Sequence, residues 1–114
     1  MSDVHRTMID LLDDPTIGGG SQHVADCLNS YLRRADRHDD VLINYAVTLG
    51  NGAVFKRLGF LAEEHPDAAA LAEACRAHLT NGNAKLDTSL ECSRLISKWR
   101  LWVPPNWATG RAHD

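Results

Sequence analysis

Apolar residues recur at three- and four-residue spacing through most of the chain, as they do on the buried face of an amphipathic helix. Capping and turn-forming residues separate these stretches, so the pattern predicts five helices. The residues expected to face inward are Val4, Met8, Leu11 and Leu12 in the first helix, Val24, Leu28, Tyr31 and Leu32 in the second, Leu42, Tyr45, Ala46 and Leu49 in the third, Val54, Phe55, Leu58 and Leu61 in the fourth, and Leu71, Cys75 and His78 in the fifth.

Local signals place the ends of these helices. Asp13-Asp14-Pro15 should end the first, because the residue before a proline avoids the helical region. Gly50 is expected to close the third helix in a left-handed conformation, and Asn51 to cap the fourth. The other N-caps are expected at Ser2 or Asp3, at Ser21, at Asp39 or Asp40, and at Asp67.

The fourth helix looks like the centre of the fold. Gly59 lies inside it, where glycine costs roughly 1 kcal/mol relative to alanine. Close approach by another element is the usual reason, so we predict that Gly59 sits at a contact with another helix or a strand. Lys56 and Arg57 fall largely off the apolar stripe. Core packing is the favoured interpretation of this helix, and a nucleic-acid or partner surface through Lys56 and Arg57 is the alternative.

The pattern changes to a two-residue alternation near the C-terminus, which predicts a strand over residues 95–103, ended by Pro104-Pro105. Ser97 breaks the alternation. Residues 85–87 are the obvious partner strand, and the remaining edge would have Lys98 and Arg100 as its charged protection. We therefore predict a mainly α, small α+β domain over residues 1–107, with about five helices, a short C-terminal β segment and a flexible tail over residues 108–114. Weak homodimerisation through the edge is expected.

Length, net charge and cysteine content limit the classes of protein to which this chain can belong. A chain of 114 residues forms one domain, and a net charge of −3 gives no overall signal for nucleic acid. Basic residues cluster locally at Arg33-Arg34 with Arg37 and at Lys98 with Arg100. Three widely spaced cysteines predict no disulfide framework, and with no leader-like segment or membrane-length apolar run they predict a cytoplasmic protein without a membrane partner.

No arrangement of residues predicts catalysis. The acidic pairs are adjacent in sequence, and neighbouring residues on a helix do not face one another. The Gly18-Gly19-Gly20 run lacks the Lys-Ser/Thr of a P-loop and a preceding strand, so a turn is favoured over phosphate binding. Cys75 and His78 lie one turn apart, where core packing is favoured over a nucleophile and base. We predict no enzyme activity, no catalytic residue, no cofactor and no metal site.

Several blocks together resemble one known family. They are RTMIDLLDDP at residues 6–15, GGG at 18–20, LGNGAVFKRLGFL at 49–61, KLDTSL at 85–90 and WRL at 99–101. In this order and spacing they resemble the C-terminal domain of AbiEi-type antitoxins, from the type IV toxin–antitoxin systems of bacterial abortive infection, an antiviral defence. The resemblance covers about residues 2–107, and the order of the blocks is more specific than any block alone.

The resemblance implies a non-enzymatic regulatory domain that counteracts a nucleotidyltransferase-like toxin. In the family, an N-terminal winged helix binds inverted repeats in DNA and represses transcription. The present sequence contains no winged helix and begins close to where the C-terminal domain's helices begin. The family motif supplies no catalytic residue. Its Lys56 and Arg57 are the suspected interaction positions.

The alternative hypothesis is a small DNA-binding transcriptional regulator module. In that case the side chains expected to meet partner or nucleic acid are Lys56, Arg57, Lys98 and Arg100.

Overall fold

The α4 helix, Gly52–Ala62, runs through the centre of the molecule, and every residue from Val54 to Ala62 is buried. The computed structural model describes residues 4–16, 20–87 and 91–104. Within them the other elements are α1 (Val4–Asp13), α2 (Ser21–Leu32), α3 (Asp39–Leu49), a 3-10 turn (Pro66–Ala68), α5 (Ala69–Ala77), β1 (Ala84–Lys85), β2 (Arg94–Ile96) and β3 (Leu101–Val103). The predicted fold class, a small α+β domain with five helices and a short β segment near the C-terminus, is confirmed.

Contacts surround α4 on all sides. It packs against α1, α2 and α5, and the strands β1 and β3 also contact it. Lys56 and Arg57 are therefore 4% and 5% exposed, although the apolar stripe placed them away from the core. The expectation of one buried face was wrong for this helix because neighbouring elements cover its polar side as well.

Leu58 lies at the middle of α4 with none of its surface exposed. Replacing it with alanine removes a fully buried side chain and leaves a cavity that a closely packed core fills only in part. We expect Leu58→Ala to lower the free energy of unfolding by about 2–5 kcal/mol. Urea denaturation of the two proteins measures this difference. The exposed Val47→Ala is the matched control and should change stability by less than about 0.5 kcal/mol.

Most of the predicted core is confirmed. Phe55, Leu61, Leu28 and Leu71 are buried together with Leu58. Two residues of α3 differ, since Tyr45 is only partly buried and Leu49 is 44% exposed. In α3 the fully buried residues are Leu42 and Ala46, and Leu49 falls in the last turn, beyond that contact.

The corner between α3 and α4 is formed as predicted. Gly50 has φ 77° and its N–H donates to the Ala46 carbonyl, while the Asn51 side chain accepts from the Ala53 N–H. The Asn51 amide also donates to the Asp13 carboxylate at 2.6 Å, which ties the corner to the end of α1. Two local signals and one long-range bond thus fix the start of α4.

Three other predicted caps were wrong. The residues at the cap positions of α2, α3 and α5 are Gly20, His38 and Ala68, each without a side-chain capping bond. For α3 the reason is visible. The Asp39 carboxylate accepts from the Tyr31 hydroxyl at 3.0 Å and from the Arg37 guanidinium at 2.9 Å, so it joins α2 to α3. The predicted cap of α1, Ser2 or Asp3, lies outside the described residues.

The single strand predicted over residues 95–103 was also wrong. The chain forms two antiparallel strands, β2 and β3, joined by a turn over residues 97–100, with Ile96 opposite Leu101. In this turn the Trp99 and Arg100 N–H groups donate to the Ile96 and Ser97 carbonyls. Ser97, at which the apolar alternation breaks, is the first residue of this turn, so the break marks where β2 ends.

The predicted pairing with residues 85–87 is confirmed. β1 runs parallel to β3, with Ala84 opposite Leu101, so the described strands have the order β1-β3-β2. β1 and β2 are the edge strands of this sheet, and weak self-association through an edge stays a prediction. No helix in the described part of the chain is long and apolar enough to cross a membrane. The predicted tail, residues 108–114, lies outside the described residues.

Candidate functional site

Arg57 joins three segments of the fold through its guanidinium group. It donates to the Leu12 carbonyl at 2.7 Å, to the Asp13 carbonyl at 2.9 Å and to the Lys85 carbonyl at 2.8 Å. The first two acceptors are carbonyls at the C-terminal end of α1, which have no partner within the helix and attract a positive charge. Arg57 therefore closes α1 and attaches it to β1.

Burial lowers the pKa of Arg57, and the negative charges of Asp13, Asp14 and Asp87 oppose that shift. These carboxylates stabilise the cation inside the fold, since an arginine remains charged in proteins. The Arg57 guanidinium is thus held inside the fold, between α1 and β1.

Lys56 points to a different side of α4. Gly52, Lys56, Gly59 and Glu63 are spaced by four, three and four residues, so they share one face of the helix. A Cβ atom at Gly52 would lie 2.5 Å from Thr80 Oγ1, and one at Gly59 would overlap the Trp99 ring. Thr80 and Trp99 therefore cover the helix on either side of Lys56. The predicted close approach at Gly59 is confirmed, although Trp99 lies in the turn between β2 and β3 and not in a helix or strand.

The Lys56 ammonium has no hydrogen-bond or ion-pair partner among the residues that the structure describes. Burial lowers the pKa of Lys56, and the nearby positive charge of Arg100 lowers it further. A buried charge without a counter-ion is costly, so this position is electrostatically unfavourable as it stands.

Arg100 lies over the same face of α4. Its Nη1 donates to the Thr80 carbonyl at 3.0 Å and to the Asn81 side-chain oxygen at 3.2 Å. Its backbone has φ 54°, a left-handed conformation that residues other than glycine rarely adopt. The two hydrogen bonds hold the turn over residues 97–100 against the end of α5 and Thr80.

Trp99 anchors this turn. Its ring is 1% exposed and its Nε1 donates to the Glu63 carboxylate, which also pairs with the Lys98 ammonium at 3.2 Å. The Lys98 ammonium lies 5.6 Å and the Arg76 guanidinium carbon 6.0 Å from the ring centroid, both within cation–π range. Two positive groups therefore lie against a buried indole, and Lys56 and Arg100 lie nearby on the same face of α4. We call Lys56, Arg76, Lys98 and Arg100 the Trp99 basic cluster.

The structure brings three of the four predicted contact residues into this cluster. Lys56 and Arg100 lie on one side, and Lys98 lies beside Trp99. Arg57 is directed toward α1 and β1 instead. Their assignment as partner or nucleic-acid contacts stays a prediction. Lys98 and Arg100 are exposed, so they are better placed than Arg57 to meet another molecule.

Sequence reasoning missed Arg76 and Thr80 as members of this region. Thr80 follows the end of α5, and Arg76 lies on the exposed side of that helix. Gly59 signalled that something approaches the helix closely. No local pattern identified Trp99 as the residue that does so.

Cys75 is a core residue, as favoured from the sequence. It is fully buried, and burial raises the pKa of its thiol to about 12. The expectation that His78 faces inward was wrong, because His78 is exposed and its ring stacks on Phe55 with centroids 4.8 Å apart. A thiol that stays protonated at neutral pH is a poor nucleophile.

A shallow apolar groove of about 400 Å³ lies between α1 and α2. His23 and Cys27 line it, and His23 Nε2 is 3.5 Å from Cys27 Sγ. His23 is exposed. Across the three described ranges, no group of three potential metal-ligating side chains comes together.

Comparisons with known proteins found no match to this chain among protein-family models, curated proteins or solved structures.

Proposed function

We propose that this chain is an antitoxin-like regulatory domain, similar to the C-terminal domain of AbiEi-type antitoxins. In this proposal it counteracts a nucleotidyltransferase-like toxin of a type IV toxin–antitoxin system in the cytoplasm. It acts without catalysing a reaction and without a cofactor.

One observation supports this proposal most. The sequence blocks that carry the resemblance meet around α4 through hydrogen bonds of Arg57 and through the packing of Trp99 on Gly59. Arg57 in the block at residues 49–61 bonds to Leu12 and Asp13 in the first block and to Lys85 in the fourth. Gly59 contacts Trp99, which begins the last block. Four of the five blocks are thus far apart in sequence but in contact in the fold, as expected if the blocks belong to one structural motif.

The state of Cys75 agrees with a non-enzymatic role, because its thiol is buried and protonated. A regulatory domain instead needs a stable scaffold and an exposed surface. The exposed members of the Trp99 basic cluster, Arg76, Lys98 and Arg100, provide a surface whose charge is opposite to that of the whole chain.

A growth assay tests the proposal. The full chain is co-expressed with a nucleotidyltransferase toxin of a type IV toxin–antitoxin system, taken from beside the gene of this chain if one is encoded there, and the chain should restore growth that the nucleotidyltransferase alone arrests. Lys98→Glu with Arg100→Glu should weaken rescue if this surface carries the activity. Arg6→Glu with Arg33→Glu is the matched control, since both arginines are exposed and the charge change is equal. Growth arrest that persists despite abundant, folded chain would refute the proposed function.

The alternative, a small DNA-binding module, rests on the same exposed cations. Each phosphate contact that a lysine or arginine makes steepens the salt dependence of binding. If the chain acts on DNA, replacing Lys98 and Arg100 with glutamine should weaken binding to its own promoter and flatten the salt slope by about one unit per contact. Nanomolar binding to inverted repeats, measured by fluorescence anisotropy, would favour this alternative over the antitoxin proposal.

A further inference from the structure

Lys56 is the buried charge that the proposed function leaves unexplained. It is 4% exposed, and no carboxylate or backbone acceptor is found for its ammonium in the described part of the chain. Arg100 lies on the same side of α4, because its guanidinium donates to the Thr80 carbonyl and the Thr80 side chain lies against Gly52, one turn before Lys56. Its positive charge acts on the Lys56 ammonium. Two cations held together in a partly dehydrated place attract an anion strongly, because an oxyanion relieves both the burial cost and the mutual repulsion.

The surrounding backbone is arranged to hold these two groups together. Gly52 and Gly59 flank Lys56 on the same face of α4, and their lack of side chains lets Thr80 and Trp99 approach. Arg100 bonds through Nη1 to Thr80 and Asn81, and no partner is found for its Nε and Nη2 within the described residues. Its left-handed backbone is the type of strained geometry that is often retained at functional sites.

We propose that Lys56 and Arg100 form a binding site for a small phosphate monoester, such as inorganic phosphate or the terminal phosphate of a mononucleotide. The arginine offers two parallel N–H donors, which match two oxygens of a phosphate, and the ammonium offers a point charge to a third. A dianion matches two cations. Because Lys56 is only 4% exposed, a small terminal phosphate suits this pair better than a phosphate within a polymer.

This inference goes beyond the proposed antitoxin function and does not depend on it. Binding of phosphate to the purified chain and growth rescue in cells are separate measurements, so either can fail while the other succeeds.

Thermal melts of the full chain test the site directly. Inorganic phosphate should raise the melting temperature saturably, whereas sodium chloride of equal ionic strength should not. Lys56→Met should abolish the phosphate-dependent rise, and Arg100→Gln should weaken binding by about tenfold or more, the loss expected for a charge-assisted hydrogen bond. Lys98→Gln is the matched control, because its ammonium pairs with Glu63, and it should retain the response.

A second expectation concerns stability without phosphate. Lys56→Met replaces an unpaired buried cation with an apolar side chain of similar volume, so it should melt at or above the temperature of the unmodified protein. A phosphate response that is absent from the unmodified protein, or equal in the unmodified protein and Lys56→Met, would overturn the site. A response that sodium chloride reproduces would mean a non-specific ion effect only, which also overturns it.

Two further experiments are a competition assay, which identifies the type of phosphate that binds, and an NMR titration, which needs no variant and so does not depend on a variant folding correctly. Adenosine monophosphate should compete with inorganic phosphate, whereas a dinucleotide with only an internal phosphodiester should not. Equal competition by duplex DNA would overturn the monoester assignment in favour of backbone binding. In NMR titrations of the unmodified protein, phosphate should shift the amide signals of Thr80, Asn81 and Arg100 most. Small, even shifts over the whole surface would contradict the site.

Discussion

Replacing Arg57 with methionine is expected to lower the free energy of unfolding by roughly 3–5 kcal/mol. The substitution keeps much of the side-chain volume but leaves the Leu12, Asp13 and Lys85 carbonyls without their donor. The Leu12 carbonyl is buried and the other two are partly buried. A buried acceptor left unpaired costs about 1–3 kcal/mol, a partly buried one costs less, and neighbouring losses are not fully additive. Urea denaturation monitored by circular dichroism measures the loss.

Two variants separate the role of geometry from that of charge. Arg57→Lys keeps the positive charge but replaces the planar, five-donor guanidinium with a single ammonium, so it should lose an intermediate amount of stability. The exposed Arg33→Met is the control and should stay within about 0.5 kcal/mol of the unmodified protein. If Arg57→Met were as stable as the unmodified protein, Arg57 would not be a structural link between α1 and β1.

Adding a side chain at Gly59 is the second change with a large expected effect. In an open helix, Gly59→Ala would stabilise the protein by about 1 kcal/mol. Here the new methyl group would overlap the ring of Trp99, which is 1% exposed and bonded to Glu63. We therefore expect Gly59→Ala to destabilise by about 1–3 kcal/mol, and Gly59→Leu by more. Thermal melts distinguish the two signs.

A double substitution tests whether the Trp99 ring is the cause of this destabilisation. Combined with Trp99→Leu, Gly59→Ala should cost much less than it does alone, because the two positions are in contact. Gly52→Ala is a useful comparison, since its new methyl group meets the Thr80 side chain, which can rotate. Its cost should be smaller than that of Gly59→Ala. A stabilising Gly59→Ala would contradict the close packing of Trp99 on α4.

The features predicted correctly from the sequence are those set by local chemistry or by strong periodicity. Gly50 and Asn51 adopt their predicted cap conformations because a left-handed glycine and a capping amide act on adjacent residues. Gly59 was recognised as a contact point because its helix-propensity cost needed a reason. Asp39 was misassigned because its carboxylate serves Tyr31 and Arg37, which no local rule reveals.

The candidate site was only partly predictable for the same reason. Lys98 and Arg100 were selected as charged residues in a strand, yet their position depends on a turn with a non-glycine residue at positive φ. Lys56 and Arg57 are adjacent in sequence but contact different neighbours around α4, because that helix is covered all round. Sequence periodicity describes one helix at a time, and this burial results from the assembly of several elements.

The most direct test of the proposed function is a dose–response measurement in cells. Growth of cells that express the nucleotidyltransferase toxin used in the rescue assay is recorded while the level of this chain is varied from trace amounts to excess. A domain that acts without turnover protects only when its amount is comparable to that of its target. Rescue should therefore rise gradually and saturate when the chain and its target are present in similar amounts. Arrested growth at every level, or full rescue at trace levels as turnover by an enzyme would produce, would contradict the proposal.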